Sequence, residues 1–268
     1  RMKCPTLERR YLLGLLLVGG WGWLLGAGCS REVGGESTQA DSQPTAEEWF
    51  ADVTESWGID FVHDPGPTGT YFMPQSMGSG LAVFDCDGDG LLDVYLLQFG
   101  GPQSSSVNRL YRQVQAGKFE DITAGSGLDV AGHCHGVAIG DVNNDGLPDV
   151  LLTFYGSVRL FLNRGQGRFE DVTSASGLLN PLWGTSCAFL DYDRDGWLDI
   201  VVVNYLDYDP KVECRSPEGK LDFCGPNAFP PVCSKLFHHR GLVGGVPRYE
   251  DVSLTSGLGR LAGPGLGV

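Results

Sequence analysis

Asp85-Cys86-Asp87-Gly88-Asp89-Gly90-Leu91-Leu92-Asp93 places four aspartates on a D-x-D-x-D-G-x-x-D frame. The frame returns as Asp141-Val142-Asn143-Asn144-Asp145-Gly146-Leu147-Pro148-Asp149, and again as Asp191-Tyr192-Asp193-Arg194-Asp195-Gly196-Trp197-Leu198-Asp199. The starts lie 56 and 50 residues apart. That period is too long for ankyrin or leucine-rich repeats and suits a propeller blade. Short β-type runs flank the frames, at 80–84 and 94–97 in the first unit and at 137–139 and 150–152 in the second. Two further runs complete each unit, at 110–111 and 119–122, then at 160–162 and 169–172. Four short strands per period, joined by Gly- and Asp-rich turns, predict an all-β protein of propeller type. A β-sandwich would share the turn spacing but has no reason to repeat at about 50 residues.

A second motif alternates with the first. It reads Phe50-Ala51-Asp52-Val53-Thr54 with Gly58, then Phe119-Glu120-Asp121-Ile122-Thr123 with Ser126-Gly127-Leu128. The third copy is Phe169-Glu170-Asp171-Val172-Thr173 with Ser176-Gly177-Leu178, and the fourth is Tyr249-Glu250-Asp251-Val252-Ser253 with Ser256-Gly257-Leu258. About four blade units are therefore expected between residues 49 and 268.

The aspartate frames are read as calcium loops. Calcium takes six to eight oxygen ligands at about 2.3–2.6 Å, and alternating carboxylates around a glycine-permitted turn supply them. The first loop is expected to use the side chains of Asp85, Asp87, Asp89 and Asp93 and the carbonyl of Leu91. The second uses Asp141, Asn143, Asp145 and Asp149 with the carbonyl of Leu147. The third uses Asp191, Asp193, Asp195 and Asp199 with the carbonyl of Trp197. Asn143 removes one charge, so the second site is expected to be the weakest. An EF-hand is excluded, since its twelfth position needs a carboxylate and these loops have Leu96, Leu152 and Val202 there. Magnesium fits less well, because it demands strict octahedral geometry.

The frames and the aromatic-x-Asp-Val-Thr segments together resemble the FG-GAP/VCBS repeats of integrin-α-type propellers. More narrowly, Tyr71-Phe72-Met73-Pro74 with Met77-Gly78-Ser79-Gly80, and Cys224-Gly225-Pro226 after the third loop, are similar to bacterial cartilage-acidic-protein-like proteins. That resemblance implies a seven-bladed calcium-binding propeller, an extracellular binding role, and an associated ASPIC/UnbV domain. Gly265-Leu266-Gly267-Val268 matches the approach to a metal loop, so the expectation is an incomplete ring whose fourth loop would begin near position 272.

The N-terminus reads as an export signal. Lys3, Arg9 and Arg10 precede an uncharged stretch at 11–28 that ends in Gly26-Ala27-Gly28-Cys29. This resembles a lipoprotein signal with Cys29 lipidated, or alternatively a signal cut elsewhere; the paired arginines leave Sec and twin-arginine export both open. Residues 29–48 read as a polar tether to a folded region at 49–268. Nineteen basic against thirty-three acidic residues give a formal charge of −14, which argues against nucleic acid. A lipid anchor would be the contact with the membrane.

An insert at about 205–235 carries Cys214, Cys224 and Cys233. Export favours a disulfide there, and the short turn-rich spacing favours Cys214–Cys224, with zinc a minor alternative. Cys86 and Cys187 are expected to be buried beside the metal loops. His133 and His135 could face one side of a strand and bind a transition metal, or sit as polar residues at a rim. His238-His239 is expected to mark an exposed strand end. The sequence contains no nucleophile elbow, HExxH or phosphate loop. The leading expectation is a non-enzymatic, surface-anchored module binding protein or carbohydrate. The alternative is an enzyme or accessory protein whose active site lies in further blades or a further domain.

Overall fold

The computed structural model describes residues 50–66 and 69–268. The signal, the tether and Cys29 lie outside the described residues. Three four-stranded antiparallel sheets follow one another along the chain. The first is built from β1 (Leu81–Phe84), β2 (Asp93–Leu96), β3 (Arg109–Gln115) and β4 (Lys118–Asp121). The second holds β5 (Cys134–Gly140), β6 (Asp149–Phe154), β7 (Ser157–Asn163) and β8 (Phe169–Asp171). The third runs through β9 (Gly184–Leu190), β10 (Asp199–Asn204), β13 (Lys235–Val243) and β14 (Val246–Asp251). The hairpin β11 (Cys214–Arg215) and β12 (Leu221–Asp222) is inserted between β10 and β13. Each sheet is an up-and-down meander, which short turns between consecutive strands dictate.

The sheets pack face to face, with β1 against β5 and β5 against β9. Alternation along β6 explains how the middle sheet serves two cores. Val150, Leu152 and Phe154 point into the core shared with the first sheet, beside Tyr95, Leu110 and Phe169. Leu151 points the other way, into the core shared with Ile200, Val202 and Phe237. All six residues of β6 are consequently buried.

Among the described residues there are three four-stranded sheets, against the expectation of about four blade units. The first copy of the second motif forms turns, not a strand, and Phe50 is exposed. It instead closes the outer edge of the first sheet: the Phe119 amide donates to the Trp57 carbonyl at 2.7 Å, and the two rings stack. At the other end, Gly265 donates to the Asn204 carbonyl, without forming a strand.

The second motif has a repeated structural task. Asp121, Asp171 and Asp251 each accept the backbone N–H of the Thr or Ser two residues on, at 2.8, 2.9 and 3.0 Å. The hydroxyls of Thr123, Thr173 and Ser253 then accept the amides of Leu110, Leu160 and Leu236 in the third strand, at 2.9, 2.9 and 3.0 Å. The aspartate stops the outer strand, and the hydroxyl continues its ladder where the backbone turns away. The following glycine lets one sheet approach the next. Gly127 has φ of +84°, and a Cβ there would lie 2.1 Å from the Phe169 carbonyl oxygen of the second sheet.

Candidate metal centres

The three aspartate frames are the β1–β2, β5–β6 and β9–β10 connections, so all three emerge at the same end of their sheets. Backbone donors shape each loop. In the first, Asp85 accepts from Gly88 at 2.7 Å and from Gly90 at 2.8 Å, and Asp89 accepts from Leu91 at 2.8 Å. In the second, Asp141 accepts from Asp145 and Gly146 at 3.1 and 2.7 Å, and Asp145 accepts from Leu147 at 2.9 Å. In the third, Asp191 accepts from Asp195 and Gly196 at 3.1 and 3.0 Å, and Asp195 accepts from Trp197 at 2.9 Å. The glycine at the sixth position has φ of +86° or +87° in all three, a backbone conformation that favours glycine.

The last aspartate of each loop is fully buried. Asp93 accepts the amides of Cys86 and Gln113, at 2.8 and 2.7 Å. Asp149 accepts those of Val142 and Asn163, at 2.9 and 2.8 Å. Asp199 accepts those of Tyr192 and His239, at 3.2 and 2.8 Å. Each of these carboxylates thus ties the loop's second residue to the third strand of its sheet. Two lone pairs per oxygen leave room for a cation as well.

The loops also link to one another. Asn163, beside Asp149, donates through its side chain to the Cys86 carbonyl of the first loop at 3.0 Å. Asn144 of the second loop donates to the Gly196 carbonyl of the third at 3.2 Å.

Electrostatics favour a cation here. In the first loop, oxygens of Asp85, Asp87 and Asp93 lie within 4.8 Å of one another. Among the described residues, the ion-pair partner of this cluster is Arg112, 3.8 Å from Asp87. Burial and the charges of Asp89 and Asp93 push the Asp87 carboxyl above its ordinary value. Burial also pushes Asp85 up, but the amides of Gly90, Gly88, Asp87 and Asp89 outweigh it and hold that group ionised to lower pH. In the second loop, burial, with Asp145 and Asp141 adding repulsion, pushes Asp149 up to about 7. Its acids do not gather into a comparable triple among the described residues, and Asn143 donates to Asp145 at 2.9 Å. In the third loop, Asp191, Asp193 and Asp195 form one triple, and Asp193 and Asp199 form another with His238. Crowded hard oxygens with little positive charge nearby are the donor set calcium requires.

His238 and His239 are corrected from exposed to buried positions on β13. His238 Nδ1 lies 3.0 Å from Asp199, and His239 stacks flat on Trp197 with ring centroids 4.6 Å apart. Sequence reading missed His238 because it lies on β13, after the insert, 39 residues from Asp199. The signal that existed was positional, since His239 aligns with Gln113 and Asn163 once the third strands are superposed by their bonds to the buried aspartate.

His133 and His135 are both taken up by contacts within the protein, which does not favour the transition-metal alternative. His135 is buried, with its pKa lowered to about 4 by burial. Trp183 Nε1–H donates to its Nε2 at 3.0 Å, while Nδ1 sits 3.1 Å from the Gly78 carbonyl. A tryptophan N–H can only donate, so the neutral Nδ1–H tautomer satisfies both contacts and leaves no free lone pair. His133 packs among Phe72, Phe99 and Tyr155. Together with Tyr208 these rings form an aromatic end opposite the aspartate loops, around an open cavity of about 280 Å³ lined by Thr70, Phe72, His133, Tyr208 and Pro210. Cys214 and Cys224 are disulfide-bonded in the insert, and Cys86, Cys134 and Cys187 are buried free thiols.

Repeated four-stranded meanders with an acidic loop in each first turn define an all-β repeat scaffold. Residues 85–152 and 141–202 match the family described as FG-GAP-like repeat. No curated protein matches the chain. Among solved structures, it is similar to a chain in the cryo-EM structure of RAG in complex with one melted RSS and one unmelted RSS. Identity there is 16%, over 64% of this chain and 66% of that one, with a TM-score of 0.30.

Proposed function

We propose that this chain is an exported calcium-binding propeller acting as a surface-anchored scaffold for a protein or carbohydrate ligand. The observation that carries the reading is the threefold repetition of one loop, in one register, on a buried aspartate that joins it to the sheet. Repeats of the FG-GAP type suggest a binding or adhesion scaffold. The three sheets, with their first strands adjacent, fit a sector of a propeller ring. In this reading Asp85, Asp87, Asp89 and Asp93 hold one calcium ion with the Leu91 carbonyl. Asp141, Asn143, Asp145 and Asp149 hold a second with Leu147, and Asp191, Asp193, Asp195 and Asp199 a third with Trp197. The ion supplies positive charge that cancels carboxylate repulsion and fixes each β-turn-β unit. The N-terminal signal and Cys29 would hold the scaffold at a cell surface or in the periplasm.

Ligand binding falls to the opposite end, where the half-buried rings of Phe72, His133 and Tyr208 beside the cavity offer stacking surfaces suited to sugars or apolar side chains. Glycan and protein arrays probed with the purified chain, with calcium and with chelator, test the role. Calcium-dependent retention of a discrete ligand set, weakened by Tyr208→Ala, is expected. Binding to neither array under either condition would count against a recognition scaffold.

A further inference from the structure

Three cavities meet at the aromatic end of the molecule. The central one, of about 280 Å³, shares His133 with a cavity of about 500 Å³ that Asp64, Gln103 and Ser104 also line. It shares Thr70, Tyr208 and Pro210 with a third, of about 250 Å³, where Lys211, Glu213 and Asp222 are found. Together they form one groove, aromatic in the middle and carrying carboxylates at both ends. Phe72 is inclined 52° to His133 and 60° to Tyr208, at centroid distances of 5.1 and 5.6 Å. Rings so inclined do not cover one another's faces as flat stacking would. They are also held in place before any ligand arrives. The Tyr208 hydroxyl accepts the Met73 amide at 3.2 Å, and its ring packs on Tyr155, Trp183 and Phe229. His133 Nδ1–H donates to the Phe99 carbonyl at 3.1 Å. A Cβ at Gly101 would lie 2.8 Å from His133 Cε1, so glycine there leaves room for the imidazole.

Charge around the groove is negative in excess. The Gly66 amide, with the Ser106 and Ser104 hydroxyls, holds the Asp64 carboxyl below its ordinary value and so ionised. Burial, then Tyr208, Asp209 and Asp207, push the Tyr155 phenol up, which places two further carboxylates beside the aromatic middle. Among the described residues lining the three cavities, Lys211 is the one lysine or arginine. Arg215, nearby in the insert, is paired with Glu213 at 3.2 Å. Complementarity therefore asks for a cation, and aromatic faces attract cations as well. None of the residues lining the central cavity lies in a strand, so no sheet edge is offered to an extended peptide. A chain of pyranoses needs no such edge. Its apolar faces suit the rings, and its polar groups suit the two ends.

We propose that this groove takes a linear amino-sugar oligosaccharide, with one pyranose against Phe72 and Tyr208 and ammonium groups of its neighbours directed at Asp64 on one side and at Glu213 and Asp222 on the other. The inference rests on reading this end as the ligand-binding end, and it names the class of ligand.

The test is calorimetric titration of the full chain, with calcium present and at mildly acidic pH, where the ligand's amines are protonated. The probes are linear hexamers of glucosamine, N-acetylglucosamine and glucose, and hexalysine. The glucosamine hexamer is expected to bind at least tenfold more tightly than the other three, and to lose that advantage at high salt. Asp209→Asn with Asp222→Asn, both at exposed positions, is expected to weaken it at least threefold with the melting temperature unchanged. Phe72→Ala is expected to abolish its binding. Should Phe72→Ala fail to fold, saturation-transfer NMR of the wild-type chain decides. Transfer from aromatic protons of the protein to the sugar ring protons supports the proposal, and its absence overturns it. Glucosamine hexamer binding no tighter than glucose hexamer, or hexalysine binding as tightly, would also overturn it. If that happens while the arrays still retain another discrete ligand set, the recognition scaffold stands without this ligand; silence in both removes both.

Discussion

A buried carboxylate that accepts two backbone amides does more for a loop than an exposed one that only waits for a metal. Asp149→Ala would orphan the amides of Val142 and Asn163, each at about 1–3 kcal/mol. Thermal or urea denaturation with calcium present should therefore register a loss of about 2–5 kcal/mol. The same residue sets a pH dependence. In calcium-free protein its pKa is raised from 3.8 to about 7. Its contribution to stability is then fully present below the unfolded value and lost as pH rises through about 7. The wild type, under chelator, is expected to lose more stability between pH 5 and pH 8 than Asp149→Asn does. A parallel pair of pH curves would show that this carboxyl does not titrate near neutrality. Calcium must displace that proton, so binding at the second loop should weaken as pH falls below 7.

Glycine and threonine do their work between elements. Gly127→Ala places a Cβ against the Phe169 carbonyl and also occupies positive φ, which alone costs about 1–2 kcal/mol. Gly125 has φ of +79° but open space around it. Gly125→Ala should therefore pay only the conformational cost, and a melting comparison of the two variants isolates the contact between sheets. Thr123→Val keeps the side-chain shape but leaves the Leu110 amide without its acceptor, with an expected loss of about 1–3 kcal/mol. These contacts explain which elements were readable from the residues. The strands and their order followed from the repeat period, and the aspartate frames fell in the expected turns. The copy at Phe50 misled because its motif encodes an edge closure as well as a strand end. His238 escaped notice because its place is set by a long-range ladder across the insert, which local spacing does not reveal.

On the scale of the whole molecule, the acidic loops are arranged as a row. Asn163 joins the second unit to the first loop, and Asn144 joins the second loop to the third. Ordering one loop is thus expected to help order its neighbour. The insert is secured separately, by a disulfide spanning a sequence separation of 10. Cys214→Ser with Cys224→Ser should remove about 3 kcal/mol of loop-closure stabilisation, with exchange protection lost in β11 and β12 and retained in β5, β6 and β10. The net charge of −14 favours cation binding, which contributes separately. A site saturated at a hundred times its dissociation constant contributes about 2.7 kcal/mol. The most direct test is therefore calorimetric titration of chelator-stripped protein with calcium, paired with its melting temperature before and after. Cation uptake at the aspartate loops, with a rise in melting temperature that falls stepwise in Asp85→Asn and Asp141→Asn, is the predicted result. No heat of binding and an unchanged melting temperature would contradict the account.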